Sequence, residues 1–272
     1  MKLTAPLTAQ IFKILTFILF VFSLVSNINF FLSEDKHETY INPLPYEKYN
    51  TNLKDFDSLE EIFSYIDEHI AKNKPGKLEI TIFIDDFLRE RFAHGINYYR
   101  NSQNWILKIL SIIFPEKEFL SIMDVNDISK YEMASCNQQA LLFQEIVKRY
   151  DINYGSVSIL AELKNEEELF GHFASFVEID EKKYFFDSNL EPVYDRRQPE
   201  TLNNLVSGSV QTLSELYPHF IFDPMPVANI SLHDFNRNPA YLGILFQKIT
   251  MFLSQTLWIF TLIIYLFARR YL

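Results

Sequence analysis

The chain has 272 residues, 48% hydrophobic and 16% aromatic, with 26 Phe and 15 Tyr, which excludes a disordered protein. A formal charge of −10 disfavours nucleic acid as a partner, because phosphate binding needs clustered Lys and Arg. Six glycines without a GxGxxG or GxxxxGK[ST] pattern argue against a phosphate loop, and the lone Cys136 excludes an internal disulfide or a cysteine-based metal site.

Residues 1–10 read as a short cytoplasmic segment, followed by residues 11–31 (IFKILTFILFVFSLVSNINFF) as a transmembrane helix. That run matches the roughly 20 residues that cross a bilayer core. Lys2 and Lys13 sit at its start and the acidic SEDKHE follows. The competing reading is a cleaved signal peptide with residues 14–25 as its apolar region. No small-x-small cleavage site stands out after Val25, which favours a retained anchor. Residues 32–54 read as a linker, extended and rich in Pro, Asn and Tyr from position 37 onward.

Residues 55–240 have the size of one domain. A helix is expected from Ser58, which has capping-box spacing to Glu61, with an apolar stripe of Ile62, Tyr65, Ile66, His69 and Ile70 and a stop at KNKPGK. A second helix is expected over residues 79–95, stopped by Gly95, with His94 satisfied by backbone carbonyls at its end. Asp85 and Asp86 are adjacent on it and so point about 100° apart, which makes them a solvated edge rather than a carboxylate pair. A third helix covers residues 104–114, with Pro115 beyond it.

After Ser135, the stretch CNQQALLFQEIVKRY has apolar residues at Ala140, Leu141, Phe143, Ile146 and Val147, the spacing of a helix packed on one side. Then come SVSILAEL, an acidic loop with Glu166–Glu168, HFASFVEI, the turn DEKK and YFFDSN. The last two runs read as a hairpin turning at residues 180–182. Helix followed by three strands implies an α+β core with one helix against an antiparallel sheet. Residues 249–267 (ITMFLSQTLWIFTLIIYLF) form a second expected span, and residues 268–272 a cytoplasmic tail with Arg269 and Arg270. Basic residues outside both spans place both termini in the cytoplasm and the middle on the far side.

A thiol at the first turn of a helix lies over unpaired N–H groups, and the positive end of the helix dipole favours thiolate there. Cys136 holds that position. His172 opens one strand of the hairpin and Asp187 closes the next, so both fall at its open end and can face the thiol. A nucleophile, a base and a carboxylate that orients the base have the logic of a catalytic triad.

The segments ASCNQQALLFQEIVKRYDINYGSVSI and GHFASFVEIDEKKYFFDSN resemble the Cys, His and Asp motifs of the transglutaminase-like superfamily over about residues 130–190. The resemblance implies a papain-like fold, with Cys136 as nucleophile, His172 as base and Asp187 as orienting acid. Many relatives have Gly before the Cys and Trp after the His. Here Ser135 and Phe173 stand there, with Phe173 keeping an aromatic wall for substrate. Trp105 lies upstream, where relatives often place an indole over the site; a core or rim aromatic is the alternative. The oxyanion would be met by the Cys136 N–H and a second donor that the sequence leaves open.

The implied activity is a membrane-anchored cysteine hydrolase or acyltransferase, a cysteine protease or amidase in kind, working through a thioester without metal or cofactor. Its substrate would be an amide or ester of an envelope protein, peptide or glycan at a bacterial inner membrane, the domain lying on the periplasmic side. Similar membrane proteins are associated with envelope and exopolysaccharide production. Hydrolysis is favoured over transfer, because no calcium-loop signature is present. The alternative is an inactive papain-like module in a membrane assembly, with Ser254, Gln255 and Thr256 helping the spans dock partner subunits.

Overall fold

The computed structural model describes residues 5–32, 43, 47–100, 103–115, 117–164, 169–190, 192–207, 210–223, 229–233 and 235–271. In chain order these form α1 (Ala5–Leu32), a 3-10 turn (Thr51–Leu53), α2 (Leu59–Asn73), α3 (Lys77–Arg91), β1 (Ala93–His94) and α4 (Trp105–Ile113). There follow α5 (Val125–Ile128), β2 (Met133–Ala134), α6 (Cys136–Arg149), β3 (Asn153–Glu162), β4 (Leu169–Ile179) and β5 (Lys182–Phe186). The chain ends with α7 (Glu200–Val206), α8 (Val210–Leu216), β6 (Asn229–His233) and α9 (Tyr241–Tyr271). It divides into two compact units, one with residues 1–37, 98–121 and 242–272, the other with residues 38–97 and 122–241.

The larger unit is α+β, built on an antiparallel sheet in the order β5-β4-β3-β6. The β4–β5 turn uses Asp180 and Glu181, both at positive φ (52° and 64°), as a two-residue hairpin loop requires. Register pairs Ile179 with Lys182 and Ser175 with Phe186. One face of the sheet receives α6: Phe143 stacks on Phe186 at 5.3 Å, and Gln144 Nε2 donates to Ser156 Oγ and Ser175 Oγ at 3.0 Å each. The other face carries Val157, Ile159, Ala161, Phe170, Ala174, Phe176 and Phe185, packed on Leu202, Leu205, Leu213, Leu216 and Tyr217. The expected single helix on a sheet is therefore extended by a second helical layer and by β6. Gly155 is obligatory here, since a Cβ would stand 2.4 Å from the Phe176 ring and 2.9 Å from the His233 carbonyl.

Ser58 caps α2 by accepting the Glu61 N–H at 3.3 Å, while the Glu61 carboxylate accepts from Asp57, one residue before the expected partner. Ile62 and Ile66 are buried, and His69 stacks on Phe83 at 3.5 Å between ring centroids. The expected stop of the next helix at Gly95 is corrected. Phe92 leaves helical geometry at φ −119° and ψ 128°, because its side chain is buried and the following backbone bonds to a neighbouring strand. Ala93 N–H donates to the Glu132 carbonyl and Gly95 N–H to the Ala134 carbonyl, pairing β1 with β2 in parallel.

In the smaller unit, α1 and α9 are long and apolar enough to cross a membrane, with mean hydropathies of 2.2 and 1.8. Only 11% and 17% of those windows are buried, which is unlike the core helix of a soluble protein. Ser254 is buried and its polar groups are spent inside the chain. Its carbonyl accepts from Asn27 Nδ2 at 2.9 Å and from the Trp105 indole at 3.0 Å. Thr256 Oγ1 donates back to the Phe252 carbonyl. Lys2, the acidic loop at Glu166–Glu168 and parts of the 32–54 linker lie outside the described residues.

Candidate active site

The site is assembled where β5 ends. Beyond the Ser175–Phe186 pair, β4 has no strand partner on its β5 side among the described residues, and His172 and Phe173 occupy that stretch of edge. The start of α6 fills the gap. Cys136 is the first residue of α6, and Gln138 secures that end: its Oε1 accepts the Ser135 N–H at 3.1 Å and the Asn97 N–H at 3.2 Å. Its Nε2 donates to the carbonyls of Asn97 (3.0 Å) and Ile122 (2.9 Å). One buried amide thus ties the turn that carries Cys136 to two chain segments.

The structure brings Cys136, His172 and Asp187 together. His172 Nε2 lies 2.6 Å from Asp187 Oδ2, and since an ionised carboxylate only accepts, Nε2–H is the donor. The remaining ring nitrogen is left for Cys136, with which His172 also hydrogen-bonds. Burial raises the Cys136 thiol, but the hydrogen bond and charge of His172 and the backbone N–H of Phe173 outweigh it, leaving the thiol below its ordinary 9.0. Burial lowers the His172 imidazole, yet the charge and hydrogen bond of Asp187, followed by those of Cys136, push it up to about 10. Burial raises Asp187, and the charge and hydrogen bond of His172, the Tyr217 hydroxyl and Arg89 bring it below the ordinary carboxylate value. All three shifts favour a thiolate–imidazolium pair with an ionised carboxylate behind it.

Asp187 is saturated with donors. Oδ1 accepts the N–H groups of Asn189 (3.1 Å) and Leu190 (3.2 Å), an Asx-type turn; Oδ2 accepts from His172 and the Tyr217 hydroxyl. The Tyr217 ring also stands edge-on to the imidazole at 5.6 Å. Arg89 Nε donates to the Asp187 carbonyl at 2.9 Å, and the same guanidinium pairs with Asp85 at 3.3 Å. Arg196 joins Asp85 (2.9 Å) to Asp86 (2.7 Å), and Ser188 Oγ donates to Asp85 at 2.6 Å.

Several expectations change here. Asp86 is a solvated edge, but Asp85 is fully buried, and burial pushes its carboxyl up even though Arg89, Arg196 and Ser188 beside it favour the charged form. His94 does not end a helix; it sits in β1 with Nδ1 2.7 Å from Asn189 Oδ1, and Asn189 Nδ2 donates to Ala134. Strand alternation turns the Phe173 ring away from His172, so Phe173 meets the thiol through its backbone while its ring stacks near His233 at 6.4 Å. Trp105 belongs to the other unit, where its indole N–H is spent on Ser254 and its ring meets Phe22 edge-on at 5.1 Å.

Sequence reasoning missed Tyr217, Arg89 and Asp85. Asp85 and Arg89 carried a usable signal, an i,i+4 acid–base pair on the same helix face as Ile84, Phe87 and Leu88. Tyr217 carried none. Among the described residues, no group of three His, Cys, Asp or Glu could hold a metal ion. Surface cavities of about 440 Å³ beside Phe56 and Tyr65 and about 220 Å³ beside Ile152 and Tyr154 have linings that include no member of the Cys–His–Asp cluster. No protein family and no curated protein matches this chain.

Proposed function

We propose that the protein is a membrane-anchored cysteine hydrolase of transglutaminase-like type, with a papain-like core carrying Cys136, His172 and Asp187. The observation that supports this reading most is the geometry of the site: the His172 ring, hydrogen-bonded to Cys136, has its Nε2 held 2.6 Å from a buried carboxylate. Such a pairing stores the nucleophile as thiolate and the acid as imidazolium, ready for acyl transfer.

In the reaction the Cys136 thiolate adds to an amide or ester carbonyl. The oxyanion that forms is met by the Cys136 N–H at the positive end of α6. The tetrahedral adduct collapses, the C–N or C–O bond breaks, and His172 gives its proton to the departing amine or alkoxide. A water then loses a proton to His172 and adds to the thioester. Breaking the C–S bond releases the carboxylic acid and restores the ion pair. Asp187 holds one tautomer and one ring orientation throughout. With α1 and α9 as spans and both termini cytoplasmic, the domain acts on an envelope protein, peptide or glycan outside a bacterial cytoplasmic membrane.

The test is to trap the acyl-enzyme. The purified protein is mixed with an activated acyl ester, quenched in acid and weighed. The expected result is one acyl mass on Cys136, absent in Cys136→Ser and slowed in His172→Ala. No adduct on folded wild type, with Cys136 alkylated normally after denaturation, would overturn the proposal. That result would favour the second reading, a catalytically silent module.

A further inference from the structure

The strongest unassigned surface is residues 98–121, which leave the larger unit at Asn97 and return at Ile122. The excursion is closed at its neck by an antiparallel bridge of Tyr98 with Ser121, and by the Tyr99 N–H donating to the Leu120 carbonyl at 2.9 Å. Its helix, α4, reads WILKILSII, apolar apart from Lys108 and Ser111, which share one flank. A helix with so few polar positions buries its apolar faces in protein or in lipid, and a lysine on its flank can reach the interface along its aliphatic stem. Leu107 is buried, but Ile109, Ile112, Ile113 and Phe114 are 39%, 67%, 58% and 45% exposed.

The base of α4 is locked into α9 at membrane depth. Ser254 lies five residues inside the 249–267 apolar run, about 7 Å along the helix axis. Asn104, the N-cap of α4, donates to Thr250 Oγ1 at 3.0 Å and accepts from Ser254 Oγ at 3.1 Å. The first-turn amides are covered as well. Ile106 N–H donates to Ser254 Oγ and Leu107 N–H to Asn104 Oδ1. Gln247 Nε2 grips the returning strand at the carbonyls of Phe119 (3.1 Å) and Ser121 (2.6 Å). Non-helical backbone survives in hydrocarbon only when protein satisfies it this way. The Ser111 hydroxyl is turned back onto the Lys108 carbonyl, Lys108 is the one charged residue of α4 and is half-buried, and exposed charge returns at Lys117 and Glu118, beyond the helix.

We infer that the described residues between 98 and 121 belong to a re-entrant element in the bilayer that α1 and α9 cross, with Ile109, Ile112, Ile113 and Phe114 in contact with lipid acyl chains. Continuity with the lipid-facing surface of the two long helices selects lipid as the occupant, because α4 is anchored on α9 within its apolar run. The inference rests on the reading of α1 and α9 as spans, and its test separates the two.

Single cysteines are placed in the Cys136→Ser chain at Ile112→Cys, Ile113→Cys, Ile263→Cys (within α9) and Glu60→Cys (exposed, in the other unit). Each variant is reconstituted in lipid nanodiscs, which leave both bilayer faces open to reagent. A membrane-impermeant maleimide should label Glu60→Cys at least tenfold faster than the other three. A fluorophore at position 112 or 113 should be quenched by acyl-chain nitroxide lipids as strongly as one at 263. Rapid labelling at 112 and 113 with 263 protected would overturn the re-entrant assignment alone. Protection without lipid quenching would mean that protein, a second copy or a partner, covers α4, and would overturn it too. Rapid labelling at 263 would remove the spans and the inference with them.

Discussion

His172 Nε2 stands 2.6 Å from Asp187 Oδ2, and neither side chain is more than 3% exposed. A carboxylate held this way fixes which ring nitrogen carries the proton, and hence which nitrogen meets the thiol. Asp187→Asn should keep the fold but favour the wrong tautomer. Hydrolysis of an activated acyl ester should fall by about a hundredfold or more, with a smaller change in KM. A loss confined to KM would point to substrate binding instead.

Thiol reactivity gives a second check that needs no substrate. Wild-type Cys136 should react with iodoacetamide to a lower pH than an ordinary thiol does, since its pKa lies below the ordinary value. His172→Ala removes the hydrogen bond and charge that lower it, and the rate should drop by about tenfold or more. Equal rates in both proteins would dissolve the ion pair.

Stability against pH follows from the same shifts. The His172 pKa rises from an ordinary 6.5 to about 10 on folding, so its stabilising contribution is full below pH 6.5 and is lost as pH rises through about 10. Cys136 works the other way, its contribution growing with pH up to the ordinary thiol value of 9.0. Between pH 9 and about 10 only the imidazole loss remains. Wild-type Tm should therefore decline across that interval more steeply than Tm of His172→Gln, as measured by calorimetry in detergent. Parallel curves would contradict the raised imidazole.

Tyr217→Phe removes one hydroxyl from the Asp187 carboxylate and leaves the ring packing in place. A hydrogen bond to a charged group contributes about 1.5–3 kcal/mol, so urea unfolding should show a loss of that order. Because the Tyr217 hydroxyl draws carboxylate charge away from His172, its loss should also move the alkaline limb of the rate profile to higher pH. A stability loss with an unmoved profile would make Tyr217 structural only.

Arg89→Ala should be the most damaging of these changes. It withdraws a guanidinium from the fully buried Asp85 and a donor from the Asp187 carbonyl. Removing one partner of a buried pair typically costs about 3–5 kcal/mol. Arg196 still holds Asp85, so the lower end is expected, with Arg89→Lys intermediate. A loss near zero would mean that solvent enters and screens the cluster.

How much of this was legible before folding depends on the range of each signal. Cys136 at a helix start, the 180–182 turn and the apolar runs at both ends are local patterns, set by dihedral preference, period and length, and each is found where the sequence puts it. Asp85 defeated the same reasoning because neighbours on a helix point apart, and nothing nearby announces that Arg196, more than a hundred residues on, will neutralise one of them. The Gly95 stop failed because pairing of Ala93 and His94 with Met133 and Ala134 captured the backbone first.

The sequence by itself determined the two long apolar helices, the helix–strand–hairpin order and the residues able to act as nucleophile, base and acid, since these follow from spacing along the chain. Only the tertiary structure decided that β5 stops short and leaves the Phe173 N–H for the sulfur, that Tyr217 closes the ring of donors around Asp187, and that Trp105 is spent on Ser254. The physical reason is that a hydrogen-bond partner is chosen by proximity in space. Where 30 residues separate Asp187 from Tyr217 and 149 separate Trp105 from Ser254, packing alone supplies that proximity.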